Sequence, residues 1–192
     1  MEVEVRKFIG VLGILVGTVM IVGTLYSGYK GKSIQEDAIN KITEIYSGSS
    51  NIEDMDVETF EIVENAVGVL NIPSINVKSA IMSGVDQGTL KYYVGHFPES
   101  ALPGELGNFS IIGHNNNVHN KVFNDLSKLT NGDLIEVITK EGTYKYSVTD
   151  KFVVYPSETY VLDWNGKDKE ITVITCTNDS KKRTVIKGVL LE

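Results

Sequence analysis

Two residues with the side chains needed for nucleophilic acyl transfer each end an apolar, strand-like run. Cys176 is the only cysteine and closes the run ITVITC, directly before a polar stretch. His114 closes the run FSIIGH in the same manner. A thiol within hydrogen-bond reach of an imidazole can attack a carbonyl carbon while the histidine moves the protons. If the two strand ends meet, the sequence predicts Cys176 as nucleophile and His114 as its acid/base partner.

Cations follow the cysteine closely, since Lys181, Lys182 and Arg183 lie within seven residues of it. Nearby cations favour the reactive thiolate form and supply donors to a developing oxyanion. Each residue also has a structural interpretation, because a lone cysteine is often buried and a strand-end histidine is often structural. An exposed thiol in an exported protein is easily oxidised. The presence of Cys176 as the sole cysteine therefore favours a functional role for its thiol.

The other two histidines, the single cysteine and the net charge argue against several classes of function. His96 lies in GHFP, where the proline and nearby aromatics predict a packing or hydrogen-bonding role, and His119 is interpreted as a solvated loop residue. The histidine spacing lacks the HExxH pattern, and one cysteine excludes an internal disulfide or a multi-cysteine zinc site. We therefore predict no cofactor. The formal charge of −7 argues against a nucleic-acid partner.

Short strand patterns fill the chain from about Val67 and must position these residues. They are VGVLNIP, INVKSAIM, FSIIGH, DLIEVIT, TYKYSVTDKFVVYP, EITVITC and RTVIKGVLLE. Turn signals such as NGD, EGT and NGKD separate several of them. Seven or eight strands in about 126 residues predict a mainly β domain, either a small barrel or a sandwich. One helix at about Val122–Leu129 and a short one near Thr89–Val94 should interrupt the strands.

The N-terminal part carries a candidate membrane anchor. The nineteen residues Phe8–Tyr26 have no charge and suffice to cross a hydrocarbon core of about 30 Å as a helix. A cleaved signal peptide is the competing interpretation, but the run exceeds the usual apolar region and no A-x-A-like site follows. We therefore predict a cytoplasmic N-terminus at 1–7 and an uncleaved transmembrane signal-anchor at 8–29, with the rest of the chain extracellular.

Residues 30–66 are predicted to form a helix and a linker. Ser33 and Glu36 make a capping-box pattern, and apolar residues recur at helical spacing to about Tyr46. The run GSSNIEDMD, 48–56, has turn formers without apolar periodicity, which is typical of a linker. The acidic residues from this run onward lack the ligand spacing of a calcium loop and are interpreted as a charged surface; a calcium requirement stays open.

Motifs of the strand-rich part resemble the sortase family. The run LKYYVGHFPESALPGELGNFSIIGHN, residues 90–115, contains the blocks GHxP, ALPGExGN and GH, and VFNDLSKLTNGDLIEV follows it. TVITC and RTVIKG are similar to the family's T-x-x-T-C strand and to the arginine that starts its last strand, with valine where the family usually has leucine. The resemblance covers about 67–192, which we expect to be a sortase catalytic domain.

The resemblance implies a closed eight-stranded β-barrel on the outer face of a Gram-positive membrane. It implies that Cys176 is the nucleophile, His114 the catalytic histidine and Arg183 the catalytic arginine, and that Thr175 contacts substrate and oxyanion. The implied reaction is attack on the Thr–Gly bond of an LPXTG-like sorting signal, followed by resolution of the thioester by an amine. The implied partners are surface proteins with that signal and an amine acceptor from a peptidoglycan precursor or a pilin.

Two other functions fit parts of the pattern. A hydrolytic cysteine peptidase of the papain or cell-wall endopeptidase kind generally places its cysteine at a helix start and ahead of the histidine, unlike this chain. A non-catalytic, membrane-tethered β-domain that binds a wall component would require Cys176, His114 and Arg183 to be unrelated. The loop between Cys176 and Arg183 is short and no lid motif is evident, which argues against a typical pilus-polymerising sortase.

Overall fold

The computed structural model describes residues 2–49, 55–115 and 119–191, with side chains from residue 6 onward. Within these ranges the α-helices are α1 Glu2–Tyr46, α2 Val57–Asn65 and α3 Gln87–Tyr92. The strands are β1 Ala66–Ile72, β2 Val77–Ser83, β3 Val94–His96, β4 Gly107–Ile112, β5 Leu134–Ile138, β6 Thr143–Val154, β7 Lys169–Cys176 and β8 Arg183–Leu190. Short 3₁₀ helices occupy Pro73–Ile75, Leu126–Lys128 and Thr159–Leu162.

The eight strands close into one barrel in the order β1-β2-β3-β4-β7-β8-β6-β5. The pairs β2–β3 and β4–β7 are parallel, and the other six pairs are antiparallel. This topology confirms the closed eight-stranded barrel that the resemblance implied, and it decides against a sandwich. Closure pairs each of the eight described strands on both sides, so none of these strands is an edge that could recruit another chain.

Alternation along the strands separates an inner face of the barrel from an outer face. In β7, Val173 joins the main apolar core, whereas Ile174 packs in an outer cluster with Val185 of β8. In β4, Ile111 is in the core and Ile112 packs against the outer cluster. Since successive strand side chains point to opposite faces, residues two apart share a face. This rule decides where the side chains at the strand ends project.

α1 runs as one helix from the apolar N-terminal run into the body of the protein. The described part of its apolar run is almost entirely exposed, and the helix is long and apolar enough to cross a membrane. Its last turns cover the barrel, where Ala38 and Ile42 pack with Val69, Ala80 and Met82. Burying an aliphatic side chain in such a cluster contributes about 1.5–3 kcal/mol. The same helix is therefore both a candidate anchor and a part of the folded domain.

The predicted start of a separate helix at Ser33 is wrong, because α1 continues through this residue without interruption. Gln35 fixes this part of α1 to the barrel. Its side-chain Nε2 donates to Ser79 Oγ at 3.0 Å and to the carbonyl oxygen of Tyr92. Contacts with strands and loops distant in sequence thus stabilise a continuous helix where the local pattern indicated a helix start.

α2 occupies most of the segment between the predicted linker run 48–56 and the barrel, where no helix was predicted. Asp56 caps it by accepting a hydrogen bond from the backbone N–H of Thr59 at 2.7 Å, and this bond lowers the pKa of Asp56. Glu58 and Glu61, which belonged to the predicted acidic surface, lie on this helix. Residues 50–54 of the predicted linker run lie outside the described residues.

Two further predicted helices differ from the structure. α3 begins earlier than expected because the Asp86 carboxylate caps it, accepting from the N–H groups of Gly88 at 2.8 Å and Thr89 at 3.1 Å. The helix then ends before β3, a three-residue strand at the end of the range predicted as helix. The helix predicted at Val122–Leu129 is a series of turns that contains only the 3₁₀ helix Leu126–Lys128.

One end of the barrel gathers the termini that carry the candidate residues, and we call it the Cys176 end. The strands β1, β4, β6 and β7 end there, while β2, β5 and β8 begin there. α1 enters beside this end, where Gly31 lies against the backbone of His119. It then follows β1 and β2 to the opposite end, where Tyr46 packs near Ala66.

Candidate active site

Cys176 and Arg183 lie directly opposite each other on neighbouring strands. Cys176 is the last residue of β7 and Arg183 the first of β8, and the antiparallel register pairs them. Both share a face with Ile174 and Val185, which pack in the outer cluster. Their side chains therefore start from one outer surface of the barrel, and directly opposed residues have Cβ atoms about 4.5–5.5 Å apart.

His114 follows β4 on the other side of β7. The parallel register pairs Ile112 with Ile174, and Gly113 continues it by donating its N–H to the Ile174 carbonyl at 3.1 Å. Continuing the same register by one residue pairs the backbone of His114 with that of Cys176, and the alternation of side chains then places both on the outward face. Neighbouring strands lie about 4.8 Å apart, so the imidazole and the thiol start from adjacent backbone positions.

The surroundings of His114 favour its neutral form. The side chain is partly buried, and this burial lowers its pKa because desolvation disfavours the imidazolium. Its backbone carbonyl accepts from Phe123 N at 3.1 Å, which ties the residue to the loop that follows. A neutral imidazole can accept a proton from a thiol, which is the role that the sequence predicts for His114.

Thr175 binds the end of β7 to the end of β4. Its side chain is 2% exposed and faces the barrel interior, where Oγ1 donates to the carbonyl oxygen of Gly113 at 2.8 Å. Gly113 directly precedes His114, and Thr175 directly precedes Cys176. The bond between Thr175 and Gly113 therefore fixes the two candidate catalytic residues, His114 and Cys176, relative to each other. The role in substrate binding implied for Thr175 stays a prediction, and the structure adds a positioning role.

The loop between Cys176 and Arg183 is a tight, internally bonded turn. Thr177 N donates to Lys182 O at 3.0 Å, and Ser180 N donates to Thr177 O at 2.8 Å. The Asp179 carboxylate accepts from Thr177 Oγ1 at 2.6 Å and from Lys181 N at 3.1 Å, and these bonds lower the pKa of Asp179. These contacts hold the start of β8 beside the end of β7.

The cations that follow Cys176 differ in their contacts. Arg183 Nη1 donates to the Lys182 carbonyl oxygen at 3.1 Å, and no ion pair within the described residues includes this guanidinium. Lys182 instead places its Nζ over the ring of Tyr155, 4.8 Å from the centroid, where the cation is attracted to the aromatic face. Of the two, Arg183 is the cation whose backbone position lies opposite the thiol.

Asn115 is a site residue that the sequence pattern does not predict. Its side-chain Nδ2 donates to Cys176 O and to Asn178 Oδ1, each at 2.9 Å. Its own Oδ1 is buried and accepts no hydrogen bond from the residues that the structure describes. Asn115 thus links the chain after His114 to the backbone of the nucleophile, and its position directly after the histidine was the available signal.

The two remaining histidines lie in other surroundings. His96 is 3% exposed, its Nε2 lies 3.0 Å from Ala101 O, and its ring packs on Phe109 with a centroid distance of 5.2 Å. This confirms the predicted packing and hydrogen-bonding role. His119 is partly buried and contacts the Tyr92 ring edge to face at 5.7 Å, so the prediction of a purely solvated residue is wrong. The described residues include no group of three or more acidic, histidine or cysteine side chains that could hold a metal ion.

Comparisons with known proteins agree on one family. The Sortase domain model matches residues 70–191. Sortase D of Bacillus subtilis (strain 168) is 28% identical over 128 residues, a match that covers 64% of this chain and 63% of that protein. The matched part thus spans less than two thirds of that relative's length.

Solved structures give the same result. A Clostridium perfringens Sortase D5 transpeptidase has a TM-score of 0.70 and 34% identity, over 83% of this chain and 99% of that chain. The Clostridium perfringens sortase C structure with the C-terminal cell wall sorting motif has a TM-score of 0.63 and 25% identity, over 81% and 86% of the two chains. The resemblance read from the motifs is confirmed by these matches.

Proposed function

This chain belongs to the sortase family, and from this premise we propose that it is a cysteine transpeptidase with Cys176 as nucleophile. The enzyme cleaves an LPXTG-like sorting signal between threonine and glycine and passes the acyl group to an amine. The observation that carries the proposal is the register of β4, β7 and β8, which starts the side chains of His114, Cys176 and Arg183 from adjacent positions on one face.

In the first half-reaction, His114 takes the thiol proton and Cys176 Sγ attacks the threonine carbonyl carbon, forming a C–S bond. Burial lowers the pKa of His114, so the neutral base is well populated at neutral pH. The tetrahedral intermediate then collapses, the Thr–Gly C–N bond breaks, and His114 returns the proton to the departing glycine nitrogen. The threonine acyl group remains on Cys176 as a thioester.

In the second half-reaction, an incoming amine attacks the thioester carbon and forms a new amide bond. The C–S bond breaks, His114 accepts a proton from the amine, and the thiol of Cys176 is restored. Water could attack the same thioester and yield a free acid. The nucleophile that resolves the thioester therefore distinguishes the transpeptidase from the peptidase.

Arg183 supplies positive charge to the oxyanion that forms in both half-reactions. One of its N–H groups donates to the Lys182 carbonyl, which orients the guanidinium and leaves other N–H groups for the substrate. Arginine remains charged at physiological pH and offers a planar fork of donors, so it is suited to bind an oxyanion and unsuited to act as a base. A single oxyanion donor of this kind typically changes the rate by about 10²–10³-fold.

The product of a peptide reaction tests this proposal. Full-length protein is incubated with a panel of LPXTG-type peptides, with and without triglycine, and products are identified by mass. We expect cleavage between threonine and glycine, and a shift from free acid to triglycine amide when the amine is present. Cleavage that yields only free acid at every amine concentration would identify a hydrolytic peptidase. No cleavage of any peptide would favour the non-catalytic binding domain.

We also propose that α1 anchors the protein as a single-pass membrane protein with the barrel outside the cell. The partners would then be surface proteins with a sorting signal and an amine of a peptidoglycan precursor or a pilin. The apolar helix and the sorting motif present in a related sortase C structure support this placement. Protease added to protoplasts should remove the barrel; protection of the barrel while an outer-surface control protein is digested would contradict the orientation.

A further inference from the structure

The Cys176 end of the barrel is the end nearest the apolar run of α1. Gly31 comes five residues after Tyr26, the last residue of that run, and lies against the backbone of His119. A Cβ atom at Gly31 would overlap this backbone, so the approach is as close as a glycine permits. At 1.5 Å per residue, about 7.5 Å of helix separate Tyr26 from this contact. A headgroup region is about 5–7 Å deep in each leaflet, so a membrane-spanning α1 brings this end to the bilayer surface.

A cavity of 640 Å³ opens between α1 and the Cys176 end of the barrel. Its membrane-side wall includes Thr24 and Leu25, which belong to the apolar run. The basic residues Lys32, Lys78 and Lys121 are among its other lining residues. These three come from α1, from the start of β2 and from the loop after His119, so elements distant in sequence build the cavity. Its volume lies within the usual range of about 300–1,000 Å³ for ligand sites.

The charge lining this cavity is mainly positive, although the chain as a whole carries −7. One carboxylate, Asp125, also lines it. Two of the lining charges already have partners: Asp125 with Lys128 at 3.0 Å and Lys32 with Glu36 at 3.6 Å. Lys78 and Lys121 are exposed and form no ion pair with the residues that the structure describes. The two unpaired cations therefore attract an anion to the cavity.

The order of these features along α1 matches the order of groups in a phospholipid. Apolar helix surface at Leu25 lies on the bilayer side, and the cations lie beyond it on the water side. We propose that this cavity binds the phosphate headgroup of an anionic phospholipid of the bilayer, with the acyl chains lying along α1. The bound lipid holds the Cys176 end on the membrane surface. This inference goes beyond the proposed transpeptidase function, because lipid binding requires no reaction at Cys176.

Full-length protein in nanodiscs tests the proposal without any activity assay. Hydrogen exchange of the backbone of residues 119–125 is compared in phosphatidylcholine discs and in discs that also contain phosphatidylglycerol. In parallel, native mass spectrometry in detergent measures the affinity for phosphatidylglycerol. The test variant is Lys78→Gln/Lys121→Gln, and Lys121→Gln alone is a milder version. The matched control is Lys140→Gln/Lys169→Gln, which removes two exposed lysines at the opposite end of the barrel.

We expect phosphatidylglycerol to slow exchange in residues 119–125 of wild type and of the control. Each basic side chain near an anionic bilayer strengthens binding about fivefold. The double test variant should therefore bind phosphatidylglycerol about 25-fold more weakly than wild type, and Lys121→Gln about fivefold more weakly. Equal exchange in both kinds of disc, or equal weakening in test and control variants, would overturn the proposal. Inorganic phosphate that slows exchange equally in phosphatidylcholine discs would identify a soluble anion as the ligand and also overturn it.

Discussion

Replacing Thr175 with valine tests how the ends of β4 and β7 are held together. The hydroxyl is buried and donates to Gly113 O at 2.8 Å, and valine keeps the shape of the side chain while removing this donor. Loss of a buried hydrogen bond that leaves its partner unsatisfied costs about 1–3 kcal/mol. For a domain of this size, each kcal/mol lowers the melting temperature by roughly 3–4 °C. We therefore expect a less stable but folded protein.

The same substitution should reduce the rate of the reaction. Gly113 directly precedes His114, so a shift of its carbonyl also moves the imidazole relative to Cys176. A displacement of about 1 Å in a reacting group typically costs about 10²-fold in rate. We expect kcat to fall while KM changes little. If Thr175 instead contacts substrate, KM should rise and the melting temperature should stay near that of wild type.

Thr184→Val is the matched control. Thr184 is the cross-strand partner of Thr175 and is also buried, but its hydroxyl makes no hydrogen bond to the described residues. Thermal unfolding and steady-state kinetics with an LPXTG-type peptide are measured for both variants. Equal effects of the two substitutions on the melting temperature and on kcat would refute the positioning role of the Thr175 hydroxyl.

Three further predictions concern the charged and titrating groups. His114→Ala should abolish transfer and His96→Ala should act mainly through stability; a dispensable His114, measured by peptide transfer, would contradict the assignment. His119→Ala should keep near-normal transfer, since this ring contacts the α1 side of the barrel. Arg183→Ala should lose about 10²–10³-fold in rate, and Arg183→Lys should recover little of it, because lysine lacks the planar fork. Burial in the folded state lowers the pKa of both His96 and His114. As pH falls, these histidines are therefore protonated at a higher pH in the unfolded chain than in the folded protein. The free energy of unfolding should therefore decrease as pH drops from the ordinary histidine pKa of about 6.5 through the folded values, and a profile flat from pH 7.5 to 5.5 would contradict this.

Much of the barrel is predictable from local sequence pattern. β1, β2 and β4 to β8 are long enough for alternating apolar residues and flanking turn residues to indicate them. β3 spans only Val94–His96, too short for any periodicity to show. The continuity of α1 through Ser33 and the form of the 122–129 segment depend on contacts with distant parts of the chain, which no local window contains.

The candidate site also has some features that the sequence predicts and others that only the structure gives. Residue type and strand-end position predict Cys176 as a nucleophile and His114 as its acid/base partner, and these roles stay predictions. The sequence does not show that the two strand ends are adjacent, because adjacency depends on the parallel register of β4 and β7, and strand register is a tertiary property. The roles of Thr175 and Asn115 as links between these strand ends rest on single hydrogen bonds between residues about sixty positions apart.

The central claim is that Cys176 forms the covalent intermediate. Full-length wild type and Cys176→Ala are mixed with an LPXTG-type peptide, and the intact protein and its proteolytic fragments are measured by mass. We expect wild type to gain the mass of the acyl fragment on the peptide that contains Cys176, and to lose it when triglycine is added. Cys176→Ala should gain nothing, since a methyl group cannot attack a carbonyl. An adduct on another residue, or full turnover by Cys176→Ala, would contradict the account.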